Sequence, residues 1–188
     1  MARINYPDPL EGDEVESVLR DIDSQMGRLL NLYRMQLHSP IFTRGFLGIS
    51  NAIRWRGRLD GRRRELVICL VAAITGSTYE WSQHAPIALR EGIRPEQLSA
   101  LTGWQEASVY SPEERILLAY TEAISREVDV HDDLFAQMQG LFDEAELFEL
   151  TATIAFYNMV ARILVPLRID VEDGTETVEP PGLPSGAA

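Results

Sequence analysis

The chain has 188 residues, a length that suits one domain able to bury a sizeable core without help from disulfides or metals. Its apolar fraction of 45% with only 8% aromatic residues leans towards packed helices over a sheet sandwich. A formal charge of -12 repels polyanions, which argues against general affinity for nucleic acid or an anionic membrane surface.

Residues 1–12 carry proline and aspartate and read as an extended lead-in. They lack the apolar core of a signal peptide, and the apolar runs of the chain read as too short to cross a bilayer, so a cytoplasmic protein is expected. From Asp13, the residues Val15, Val18, Leu19, Ile22, Met26, Leu29, Leu30 and Tyr33 recur at three- and four-residue intervals, as on one face of an amphipathic helix. Ser39-Pro40 interrupts the pattern, because the residue before proline is pushed out of the helical region. A second helix is expected from about residue 41 to 55, with Phe42, Phe46, Ile49 and Ile53 facing inward.

Six arginines then crowd residues 54–64 around Gly57 and Gly61. They form either a solvated loop that meets some of the surplus acids or a grip for a substrate carboxylate, which a guanidinium can hold through two parallel hydrogen bonds. All 17 basic residues are arginine, so catalysis through a lysine Schiff base is excluded.

Residues 66–74 are apolar throughout, and such uniformity hides the period that separates a buried helix from a buried strand. Their alanines and the helical segments on both sides favour helix. Cys69 is the one cysteine of the chain, so no internal disulfide can form. Gly76 is a stop, and Ser77 with Glu80 has the spacing of a capping box. On a helix starting there, Ser77, Glu80, Trp81, His84 and Ala88 share a face, so Glu80 and His84 can touch. A carboxylate beside an imidazole orients the ring and keeps one nitrogen protonated, as a general acid or base requires. The same pair serves equally well as a helix cap and a satisfied core histidine. Pro86 is the weak point, since an interior proline removes a hydrogen bond and costs roughly 3 kcal/mol unless a kink is wanted.

Gly92 closes that helix. A short helix is expected from Pro95, another from Ser111-Pro112 to about residue 124, and two more over residues 134–141 and 144–162. AELFELTATIAFYNMVAR echoes RRELVICLVAAITGSTYEW, which would suit two similar helical hairpins. Glu65, Glu80 and His84 could in principle form a carboxylate-rich metal site. With one histidine and no H-x-x-H spacing the reading is no metal and no cofactor. His38 and His131 receive no role.

Glu65, followed twelve residues later by Ser77-Thr-Tyr-Glu80-Trp81-Ser-Gln-His84 and then Ala88 and Gly92, resembles the signature of the carboxymuconolactone decarboxylase and alkylhydroperoxidase D-like family. The surrounding pattern agrees from about residue 40 to 162. The resemblance implies an all-α, single-domain alkylhydroperoxidase D-like helical bundle over residues 13–168, after the lead-in of residues 1–12 and before a flexible acidic tail at 169–188. In the peroxidase branch, a C-x-x-C pair stands where this chain has Ser77 and Glu80, assisted by a glutamate matching Glu65 and a histidine matching His84. Neither serine nor glutamate can form a thiolate or a disulfide, so C-x-x-C peroxidase chemistry is not expected.

What remains resembles the decarboxylase branch. The expected activity is that of a cofactor-independent lyase or isomerase acting on a small anionic carbonyl or lactone compound. His84 would be the general acid or base, with Glu80 and Glu65 orienting it, and Ser77, Tyr79, Trp81 and Arg64 would bind the substrate. The alternatives are a scaffold that binds a small ligand or assembles without turning it over, and a residual oxidoreductase using Cys69. The resemblance also implies a homo-oligomer, a trimer or hexamer, in which Tyr157, Asn158 or Arg162 could complete a neighbour's pocket.

Overall fold

The computed structural model describes residues 1–175, 178, 181 and 182, and every regular element among them is helical. The fold is all-α. The contacts gather into two compact units, one of residues 1–57 with 166–174 and one of residues 58–165 with the described residues from 175 onward.

The first unit holds α1 (Asp13–Met26), α2 (Asn31–Gln36), α3 (Pro40–Asn51) and a π-helical turn, Ala52–Arg56. The amphipathic pattern running to Tyr33 does not make one helix. Gly27 takes a left-handed conformation with φ 66° and its N–H caps Asp23 O, a geometry that glycine adopts without a Cβ penalty. On α3 the buried face is Thr43, Phe46, Leu47 and Ser50, at the i, i+3, i+4, i+7 spacing of a helix. Phe42 and Ile49, expected inside, are 43% and 51% exposed. The inner face includes two hydroxyl residues that apolar periodicity passes over, and Thr43 is satisfied there by donating to Gln36 O at 2.8 Å.

Asp170 and Glu172, in the stretch expected to be loose, make specific bonds in this unit. Asp170 accepts from Ala2 N at 3.0 Å and pairs with the terminal amine at 3.0 Å, and Glu172 accepts from Asn31 N at 2.7 Å. The remainder of the expected tail, at 176–177, 179–180 and 183–188, lies outside the described residues.

The second unit is organised on α4 (Gly61–Thr75), packed against α5 (Thr78–Arg90) and α7 (Pro112–Glu127). Residues 65–73 of α4 are all buried, which explains why their sequence shows no period: a helix covered on every side has no polar face. Asp60 caps its start by accepting from Arg63 N at 3.0 Å. Gly76, left-handed at φ 68°, ends it. The α5 helix runs through Pro86 without a break, so the missing N–H is absorbed without ending the helix. Short α6 (Pro95–Ser99) and a 3-10 turn, Leu101–Gly103, lead to α7. There Ser111 and Glu114 form a complete capping box, at 3.2 Å and 2.8 Å.

The last helices are α8 (Asp132–Gln139) and α9 (Glu144–Leu167). The sequence echo falls entirely within α9, one continuous helix instead of a second hairpin. By length and composition α9 could cross a membrane, against the expectation that no run was long enough. Half of its most apolar window is buried inside the protein, and Leu150, Ile154, Val160 and Leu164 pack as core residues.

Candidate functional site

Glu65, in the second turn of α4, and His84, midway along α5, meet across the helix pair. His84 Nδ1 lies 2.7 Å from Glu65 Oε2. Glu65 is fully buried, and Arg64 Nε donates to its other oxygen at 3.0 Å. Burial pushes the Glu65 carboxyl up, but the charges and hydrogen bonds of His84 and Arg64 outweigh it and hold the group below its ordinary value of 4.5. With Glu65 ionised, Nδ1 of His84 is the donor of that bond, which leaves Nε2 to exchange a proton with a reactant. Tyr157 of α9 packs edge-on against the imidazole, ring centroids 4.9 Å apart. A buried carboxylate that is itself anchored thus fixes the ring on one side, and an aromatic wall limits it on another.

Glu80 does not join this pair. Its side chain is buried, and neither carboxyl oxygen has a hydrogen-bond partner among the described residues. The capping box is therefore half formed: Ser77 Oγ accepts from Glu80 N at a long 3.4 Å, but the glutamate does not return a bond. Burial drives the Glu80 carboxyl well above 4.5, and the nearby Ser77 hydroxyl offsets this only in part. The expectation that Glu80 orients His84 is replaced by Glu65 alone. A contact at i, i+4 was available, but an acid from the neighbouring helix occupies that role.

Residues 40–123 match the profile of the Carboxymuconolactone decarboxylase family. The chain is 27% identical over 106 residues, 55% of this chain and 72% of the relative, to the uncharacterized protein YdfG of Bacillus subtilis (strain 168). Its fold is similar to that of an uncharacterized peroxidase-related protein from Silicibacter sp. TM1040, with TM-score 0.78 and 16% identity, covering 93% of each chain. A similar likeness, TM-score 0.73 and 18% identity over 92% of this chain and 95% of the other, links it to a variant of the debrominase Bmp8 in complex with 2,3,4-tribromopyrrole.

The chain has a single cysteine and therefore no C-x-x-C pair. Cys69 is fully buried on α4. Burial, and then the neighbouring carboxyls of Glu65 and Glu80, raise its thiol well above the ordinary value, the opposite of a reactive thiolate.

The residues expected to bind substrate have other contacts. Arg64 is engaged with Glu65, and its side chain is only 12% exposed. Trp81 is buried and its Nε1 donates to Val178 O at 2.8 Å, so the described part of the tail meets the motif. Tyr79 and Ser77 are buried. Tyr157 packs against His84 within its own chain. Asn158 donates to Ser125 Oγ at 2.9 Å and accepts from Arg162 at 2.7 Å. Nothing in the spacing of AFYNMVAR could place Tyr157 against α5.

The arginine cluster mostly meets acids. Arg58 pairs with Asp143 at 2.8 Å, Arg62 with Glu114 at 2.5 Å, and Arg63 with Asp60 at 3.3 Å. Arg62, Arg63 and Arg94 border a cavity of about 610 Å³ over Leu66, Leu117 and Phe142. Glu113, Glu114 and Asp60 share that lining, so the cavity has no net excess of positive charge for an anion. His84, Glu65 and Glu80 are not part of it.

Proposed function

We propose that the protein is a cofactor-independent lyase or isomerase acting on a small anionic carbonyl or lactone compound, with His84 as general acid or base. The observation that carries this reading is the buried Glu65–His84 contact at 2.7 Å, backed by Arg64. The match of residues 40–123 to the Carboxymuconolactone decarboxylase family profile, and the likeness to a debrominase in complex with 2,3,4-tribromopyrrole, support an enzyme-like scaffold that acts on small molecules.

The chemistry asks little of the protein. When a carboxylate departs from the carbon beside a carbonyl, the electrons of the breaking C–C bond form an enolate with the carbonyl and carbon dioxide leaves. A proton from His84 Nε2 then goes to the carbanionic carbon, and the enolate returns to a carbonyl. Glu65 holds the ring in position through both states, and Arg64 keeps Glu65 ionised. Arg64 is thus a positioning residue in this reading, and the substrate carboxylate is held by another group. The site also forms part of a homo-oligomer in this proposal, a trimer or hexamer. The exposed apolar residues Phe148, Met159 and Val165 of α9 support that assembly, and a monomer in light scattering would count against it.

The test is incubation in deuterium oxide with a panel of small β-keto acids and lactone acids, following substrate loss and deuterium uptake at carbon by NMR. His84→Ala is expected to lower turnover by roughly 100-fold or more. Full turnover in that variant sinks the reading.

A further inference from the structure

Glu80 is the buried group that the Glu65–His84 pair leaves unused. It is 2% exposed, and among the described residues neither of its carboxyl oxygens is hydrogen-bonded. Folded proteins rarely leave buried polar atoms without partners, because each costs about 1–3 kcal/mol. A buried, unpaired carboxylate would cost several times more. The group nevertheless sits one helical turn before His84, on the same face of α5. It is also near Cys69, the α4 residue whose thiol feels both Glu65 and Glu80. The titratable side chains gathered there are Glu65 and Cys69 from α4, Glu80 and His84 from α5, and Tyr157 from α9 against His84. Among the described residues no cation is paired with Glu80; Arg64 is bound to Glu65 instead.

We infer that Glu80 faces the ligand and donates a hydrogen bond from its carboxyl O–H to the ligand's carbonyl oxygen, while His84 serves the adjacent carbon. The inference rests on the reading of His84 as the proton carrier of this site, and it narrows the ligand class. A carboxyl that keeps its proton has one donor to offer, and in a dry site it favours an oxygen on which negative charge builds up. A ketone, lactone or enolate oxygen accepts such a bond. An ammonium group does not, and its charge would favour the ionised carboxylate instead. A neutral acid also tolerates an anionic ligand that a second carboxylate beside Glu65 would repel. The bond to the ligand strengthens as the carbonyl gains enolate character, so it favours the transition state over the ground state.

Infrared difference spectroscopy of the full chain at about pH 8 tests this, with 4-nitrophenolate as an enolate-like probe. A protonated-carboxyl C=O band is expected in the ligand-free protein, absent from Glu80→Gln and retained in Glu65→Gln. The band should move to lower frequency when the probe is added. Probe affinity, read from its visible absorbance, should weaken about tenfold or more in Glu80→Leu, the loss expected for a hydrogen bond to a charged acceptor. Absence of the band overturns the inference. So does a band that the probe leaves unmoved, as for an acid held by an internal water, or a Glu80→Leu protein that binds as tightly as the original. If the leucine variant does not fold, the shift of the band in the unaltered protein decides alone. None of these readouts needs turnover, so a failure of His84→Ala to reduce activity would sink the proposed function separately.

Discussion

Glu65 and Glu80 are two buried carboxyls with opposite titration behaviour, and replacing each by glutamine should change stability with opposite dependence on pH. Glu80 is raised by burial. Above its ordinary value of 4.5 the unfolded chain releases the proton while the folded chain keeps it, so the folded state loses stability as pH rises. The slope is about 1.4 kcal/mol per pH unit until the folded carboxyl itself ionises. Glu80→Gln removes that slope at nearly constant shape. It should therefore gain on the unaltered protein steadily as pH rises from 4.5, and match it most closely below that value. Glu65 is lowered, because His84 and Arg64 outweigh its burial. Its contribution is present above 4.5 and lost as pH falls through the folded-state value. Glu65→Gln should cost about 3 kcal/mol at neutral pH, since it leaves the charge of Arg64 without its carboxylate in a nearly closed site. That cost should shrink in acid. Urea unfolding followed by far-UV circular dichroism at a series of pH values measures both. Parallel pH profiles for Glu80→Gln and the unaltered protein would refute the reasoning, because they would mean that Glu80 is as ionised when folded as when unfolded.

Arg64→Ala should lower kcat roughly tenfold with KM changed far less, the split expected of a residue that positions Glu65 without gripping the substrate; steady-state kinetics on whichever panel compound turns over will separate the two. Cys69 should resist an uncharged thiol reagent in the folded protein and react fully in urea, as mass spectrometry can show, because it is fully buried and its thiol is raised. Ser111→Ala should cost about 1 kcal/mol in the same unfolding assay by removing the cap of α7. Gly76→Ala should cost 1–2 kcal/mol, roughly, from the left-handed backbone at φ 68°.

Much of this protein was legible from local chemistry. The start of α7 and the stops at Gly76 and Gly92 follow from a serine cap, a proline and left-handed glycines, which act within a few residues of sequence. The α4 helix could be recognised only from its alanines and neighbours, since burial on all sides erased its period. Phe42 and Ile49 were misplaced because the inner face of α3 is partly polar, and Thr43 is tolerated there through a bond to Gln36 that lies seven residues back.

The stretch around residues 65–84 offered Glu65, Glu80 and His84 as candidates, but their partners were a matter of tertiary structure. Spacing along one helix allowed Glu80 to touch His84. The packing of α4 against α5 gave that contact to Glu65 and left the buried Glu80 carboxyl without a hydrogen bond among the described residues. Residues 54–64 offered a row of arginines, and the fold paired several with acids up to 85 positions away. Tyr157, 73 positions after His84 by their numbers, reached the imidazole only because α9 packs there. Residue type and helical period are short-range properties, so sequence alone determined the helices and the chemical inventory. Which acid meets which base depends on side chains brought together from distant helices, and on burial that decides whether a carboxyl keeps its charge or its proton; only the tertiary structure sets these.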